Sequence, residues 1–110
     1  MLIDTITSYG WHQAGSDWYF VDESGKAVRG EGMYKVGGTY YAFDYDGKMI
    51  ANGVYGDRYY DAGGALVTNM GWYMVDGEWI YVTARGTVAC DGVFRIDGRD
   101  YYFYDSVWIG

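Results

Sequence analysis

The chain has 110 residues, room for one ordinary domain of a size that buries only a modest fraction of its surface. Glycine accounts for 18 of them, proline for none, and aromatic residues for 21%, with 14 Tyr, 5 Trp and 4 Phe; this excludes a disordered chain and favours short strands joined by tight turns. A formal charge of −7 excludes a nucleic-acid partner, which requires clustered Lys and Arg, and suits a cationic or neutral ligand better than an anionic polymer.

Taken in order, residues 1–9 read as an N-terminal tail or linker, and 10–110 as one binding domain of five hairpin repeats starting at 10, 32, 53, 71 and 92. The first unit runs from Gly10-Trp11 through Trp18-Tyr19-Phe20 to Asp22-Glu23-Ser24-Gly25 and Ala27-Val28. The second runs from Gly32-Met33 through Tyr40-Tyr41-Ala42-Phe43 to Asp44-Tyr45-Asp46-Gly47 and Met49. A shortened third copy follows, Gly53-Val54, Tyr59-Tyr60-Asp61, Gly64 and Leu66. The fourth is Gly71-Trp72, Trp79-Ile80-Tyr81, Gly86 and Val88, and the fifth, Gly92-Val93-Phe94 to Tyr101-Tyr102-Phe103, stops before its turn glycine. Each unit predicts two short strands around a turn such as Asp76-Gly77 or Asp97-Gly98, pairs that favour the left-handed conformations of a two-residue hairpin loop. The recurring Asp-x-x-Gly predicts a second turn, with the carboxylate accepting backbone N–H groups. The fold class is therefore all-β, a solenoid of stacked short β-hairpin repeats of about 20 residues.

The recurring pattern of Gly-Trp, then Trp-Tyr-Phe or Trp-Ile-Tyr, then Gly resembles the cell-wall-binding, or choline-binding, repeat family. It is also similar to the glucan-binding ends of streptococcal glucosyltransferases and to clostridial toxin repeats. The resemblance covers Gly10 to about Tyr104. It implies a module that targets a secreted bacterial protein to the cell surface and binds choline-bearing wall polymer through inter-repeat aromatic cages. A glucan or other carbohydrate is the alternative ligand, and a structural spacer or self-associating homo-oligomer without small ligand a third reading. By the resemblance, Trp11 and Trp18 with Tyr40, and Trp72 and Trp79 with Tyr101, are the ligand-binding sets. Tryptophan offers a quaternary ammonium the best ring face for cation–π attraction. Met33 with Tyr40 and Tyr59 forms a degenerate candidate, while Val54 and Val93 offer no ring.

No catalytic residue, metal site or cofactor is expected. His12, the only histidine, has no triad or metal partner in the sequence and is expected to face solvent from a strand. Cys90, the single cysteine, occupies a slot held elsewhere by Arg29, Ala51 and Thr68. Asp44-Tyr45-Asp46-Gly47 lacks the alternating ligands and distal Glu of a calcium loop. The carboxylates, 12 Asp and 3 Glu, lie mostly at repeated turns, which argues for binding many times over one acid pair reacting once. No apolar run approaches a membrane span, and Met1 to Tyr9 does not resemble an export signal, so the chain reads as a fragment of a larger secreted protein.

Overall fold

The structure, a computed structural model, describes residues 7–110. Of the expected tail, residues 1–6 lie outside the described part. Twelve strands form five small antiparallel sheets, and no helix occurs among the described residues. Hairpin one pairs β1 (Gly10–Ala14) with β2 (Asp17–Val21), and hairpin two pairs β3 (Glu31–Val36) with β4 (Thr39–Phe43). Hairpin three pairs β5 (Gly53–Tyr55) with β6 (Arg58–Tyr60), to which β7 (Leu66–Val67) adds a third strand. Hairpin four pairs β8 (Gly71–Val75) with β9 (Glu78–Val82). Hairpin five pairs β10 (Gly92–Ile96) with β11 (Arg99–Tyr104), extended by β12 (Val107–Trp108).

The turns account for the glycine content. Gly37 and Gly38 (φ 58° and 91°), Asp76 and Gly77 (49° and 79°), and Asp97 and Gly98 (51° and 81°) all take the left-handed conformation, which matches the twist of the strands they join. At the second turn Asp22 Oδ1 accepts hydrogen bonds from the backbone N–H of Ser24 (2.9 Å) and Lys26 (3.0 Å). Asp44 does the same for Asp46 and Lys48, and Asp61 for Gly63 and Ala65. In hairpin four Thr83 replaces the aspartate, and its hydroxyl bonds that of Thr87 at 3.0 Å.

Side chains alternate between the two faces of each hairpin, and consecutive hairpins bury facing sides. The last core position of the second strand, paired with the first residue of the first strand, is held by Val21, Phe43, Tyr60, Val82 and Phe103. All five are buried. The apolar side chains form separate clusters rather than one core. Phe20, Val28 and Phe43 join hairpins one and two; Tyr59, Ile80, Val82 and Val88 join three and four; Ala89, Ile96 and Phe103 gather Trp72, Tyr81, Phe94 and Tyr101 between four and five. Between two and three, the Tyr60 hydroxyl accepts the backbone N–H of Met33 at 3.1 Å, and Met49 lies against the Gly64 turn. The result is elongated, 51 × 24 × 18 Å with a radius of gyration of 15.8 Å, against roughly 13 Å for a compact domain of this length.

Candidate functional site

In hairpin four, Trp72 stands opposite Tyr81 and Met74 opposite Trp79. Alternation therefore puts Trp72, Met74, Trp79 and Tyr81 on one face, with Trp72 and Trp79 on a diagonal. The other face, Tyr73, Val75, Ile80 and Val82, is committed to the cluster with Tyr59. Hairpin five then lays Tyr101 of β11 and Trp108 of β12 against the tryptophan face, enclosing a cleft of about 300 Å³ lined by Trp72, Trp79, Tyr101 and Trp108.

Trp72 is the centre of this arrangement. Its ring centroid lies 6.5 Å from Trp79 at 89°, 5.1 Å from Tyr101 at 67° and 6.0 Å from Trp108 at 68°. Beneath it Phe103 stacks at 5.8 Å and 22°. Trp79 and Trp108 keep 39% and 40% of their surface in water, so the mouth is open. With Tyr101 and Trp108 also inclined at 68° to each other, the walls surround a point instead of offering one flat platform. No charged side chain lines the cleft, so a cation entering it would be held by the negative ring faces.

Hairpins one and two repeat the geometry. Trp11 lies 6.2 Å from Trp18 at 86°, 4.9 Å from Tyr41 at 73° and 5.9 Å from Phe43. Met49, bridged to Phe43 as Trp108 is paired with Phe103, packs in the same cluster. The two assemblies thus match position by position, differing in Met49 for Trp108.

The expected sets are therefore brought together at Trp72, Trp79 and Tyr101, and at Trp11 and Trp18, but the tyrosine beside Trp11 is Tyr41. The reason lies in the spacing: Tyr101 is nine residues after Gly92, and nine after Gly32 comes Tyr41, whereas Tyr40 is eight after it. The pairing of β3 with β4 passes from Glu31↔Phe43 to Tyr34↔Tyr41, so Gly32 and Met33 fill the space of one residue. This β-bulge leaves the count from Gly32 to the second strand unchanged, and Tyr40, eight residues on, holds in hairpin two the place that Trp18, eight after Gly10, holds in hairpin one. Tyr40 lines a different groove, with Met33, Arg58 and Leu66. Tyr59, grouped with Met33 and Tyr40 on the sequence, is buried in the cluster between hairpins three and four, and Arg58 takes its place at that groove. Trp108 had no repeat partner to flag it, because β12 follows a two-residue turn, Asp105-Ser106, in place of the four-residue Asp-x-x-Gly turn.

The polar residues singled out on the sequence lie elsewhere. His12 is half-buried, not fully solvent-facing, because its Nε2 lies 2.7 Å from the Ser8 carbonyl oxygen. Cys90 is exposed. Among the described residues no cluster of His, Cys, Asp or Glu could hold a metal, and no helix is long and apolar enough to cross a membrane. Tyr34, Tyr59 and Tyr60 have pKa values raised, chiefly by burial, and belong to the hairpin interfaces.

No family model matches the sequence, and no curated protein matches it. Solved structures do match. CbpJ from Streptococcus pneumoniae aligns at 30% identity and a TM-score of 0.62, over 93% of this chain and 35% of that one. Choline binding protein F from the same organism gives 28% and 0.61, over 93% and 35%. The modular Cpl-1 endolysin in complex with a peptidoglycan analogue gives 28% and 0.61, over 88% and 29%. The chain thus spans about a third of the length of these relatives. It shares the fold of these choline-binding repeat proteins, a stack of short hairpins across nearly its whole length, and carries the recurrent Gly-Trp and Trp-x-Tyr/Phe positions.

Proposed function

We propose that the chain is a cell-surface targeting module that holds quaternary ammonium groups, choline above all, in two aromatic cages: Trp72, Trp79, Tyr101 and Trp108, and Trp11, Trp18, Tyr41 and Met49. The observation that carries this reading is the four-ring cleft with no other lining. A trimethylammonium group donates no hydrogen bond and is close to spherical, so rings inclined at 67–89° around a point suit it. A sugar presents a flat face and hydroxyls, and would call for an open platform with polar neighbours. The partner is then a choline-bearing bacterial wall polymer, and the place of action the bacterial surface. Binding, not catalysis, is the role of this chain.

A single cage of this exposure binds weakly; attachment comes from two cages meeting a polymer that repeats its ligand. Each exposed ring contributes about 0.5–1 kcal/mol to a cation and more when desolvated. Titration with choline, followed by calorimetry and tryptophan fluorescence, should give saturable binding at millimolar concentration. Silence in both signals, with retention of the chain on immobilised dextran, would transfer the assignment to glucan.

A further inference from the structure

Hairpins two and three meet at the register positions that elsewhere make the cages, yet their chemistry is inverted. The groove there, about 450 Å³, is lined by Met33, Thr39, Tyr40, Arg58, Leu66 and Thr68. Tyr40 stands where Trp18 and Trp79 stand in their hairpins, and Arg58 where Tyr41 and Tyr101 do. Leu66 stands where Met49 and Trp108 do. One wall of the would-be cage is therefore a guanidinium. The Lys35 ammonium, outside that lining, lies over the Tyr40 ring, 5.8 Å from its centroid.

Arg58 has one ion-pair partner among the described residues, its chain neighbour Asp57, and no hydrogen bond at Nε. That Nε is buried, and Asp57 Oδ1 is 3.6 Å away, beyond hydrogen-bond length. Nη1 extends toward the Gly86 turn, where an added Cβ would lie only 2.9 Å from it. The guanidinium is thus threaded between hairpins, with three-quarters of the side chain covered (24% exposed). The Arg58 guanidinium repels a quaternary ammonium, and beside it stand two threonine hydroxyls and apolar walls from Met33 and Leu66. They offer donors to an anion that carries carbon on it.

We infer that this groove is an anion site, taking a phosphate ester, placed between two cation cages in the chain. The net charge of −7 does not prevent this, because at physiological salt charges more than about 8 Å away are screened and Arg58 is the charged residue that lines the groove. If the module grips a wall polymer as proposed above, the groove would take a phosphate ester borne on such a polymer where the cages take its ammonium; the site itself stands without that reading.

The test is amide NMR of the whole chain at fixed ionic strength, titrated separately with glycerol 2-phosphate, inorganic phosphate, sodium chloride and choline. Glycerol 2-phosphate should shift the Met33, Thr39 and Thr68 amides saturably and more tightly than inorganic phosphate, with Arg58→Gln weakening it about tenfold or more and Arg58→Lys retaining part. Arg58→Tyr should lose the phosphate response and gain a choline response at the same amides. Shifts that are absent, reproduced by sodium chloride, or unchanged in Arg58→Gln overturn the inference, as does a choline response at Met33 in the unaltered chain. Choline shifts of the Trp72 and Trp79 indole N–H signals report the cages independently, so either reading can fail alone. Unchanged dispersion of the remaining amides certifies that each variant is folded.

Discussion

Trp72 and Trp79 sit in one cage but do different jobs. Trp72 touches Trp79, Tyr81, Tyr101, Phe103 and Trp108, so its ring joins hairpins four and five as well as flooring the cleft. Trp79 has a ring contact with Trp72 and keeps 39% of its surface in water. Trp79→Ala is therefore expected to lower choline affinity about five- to tenfold, the loss of roughly 1 kcal/mol of cation–π attraction, while leaving the thermal midpoint nearly unchanged. Trp72→Ala should abolish binding at that cage and also cost about 3 kcal/mol of stability, as large aromatic truncations do; calorimetry and denaturant titration on both variants separate the two effects. Tyr60 gives a pH signature of its own. Fully buried, with its hydroxyl accepting the Met33 N–H, it has a pKa raised above the ordinary 10.0 by burial. The unfolded chain releases this proton first as pH climbs, so the stability tied to Tyr60 is intact below pH 10 and lost above it. Denaturant midpoints measured from pH 8 to about 11.5 should fall beyond 10, and less so in Tyr60→Phe.

At the scale of the hairpin, the strands, the two-residue turns and the Asp-x-x-Gly turns were legible in the sequence because each is local chemistry: alternation, Asp-Gly pairs and a carboxylate within reach of its own backbone. The facing tryptophans were legible for the same reason, since Trp11/Trp18 and Trp72/Trp79 belong to single hairpins. What the sequence hid were the walls contributed by the next hairpin. The wall beside Trp11 is Tyr41 and not its neighbour Tyr40, which sits at the place of Trp18, and the short Asp105-Ser106 turn brings in Trp108 with no glycine to mark the repeat. Both are matters of register between strands, which depends on pairing and not on composition. One such inter-hairpin dependence can be tested at Gly64, with φ at +85° and the Met49 sulfur 2.5 Å from where a Cβ would stand. Gly64→Ala should cost about 1–2 kcal/mol through the left-handed backbone and displace Met49. Choline binding should then weaken at the Trp11 cage and persist at the Trp72 cage, a split visible in the two sets of indole NMR signals.

Across the whole molecule, the separate clusters and the 51 Å length describe a quasi-one-dimensional object. Its two cages lie at the junctions of hairpins one with two and four with five. Calorimetry with free choline should accordingly give a stoichiometry near two sites per chain, falling to one in Trp79→Ala at concentrations that saturate only the intact cage. The stiffness of the array has a consequence for what kind of polymer it prefers. Two cages on a rigid rod act as a caliper: the span between them cannot exceed 51 Å, and a chain whose ammonium groups recur at that interval engages both without stretching or looping. Bis-choline ligands joined by spacers of graded length should bind most tightly at one matching length and lose the advantage on either side. A flat dependence on spacer length would mean that the cages work singly.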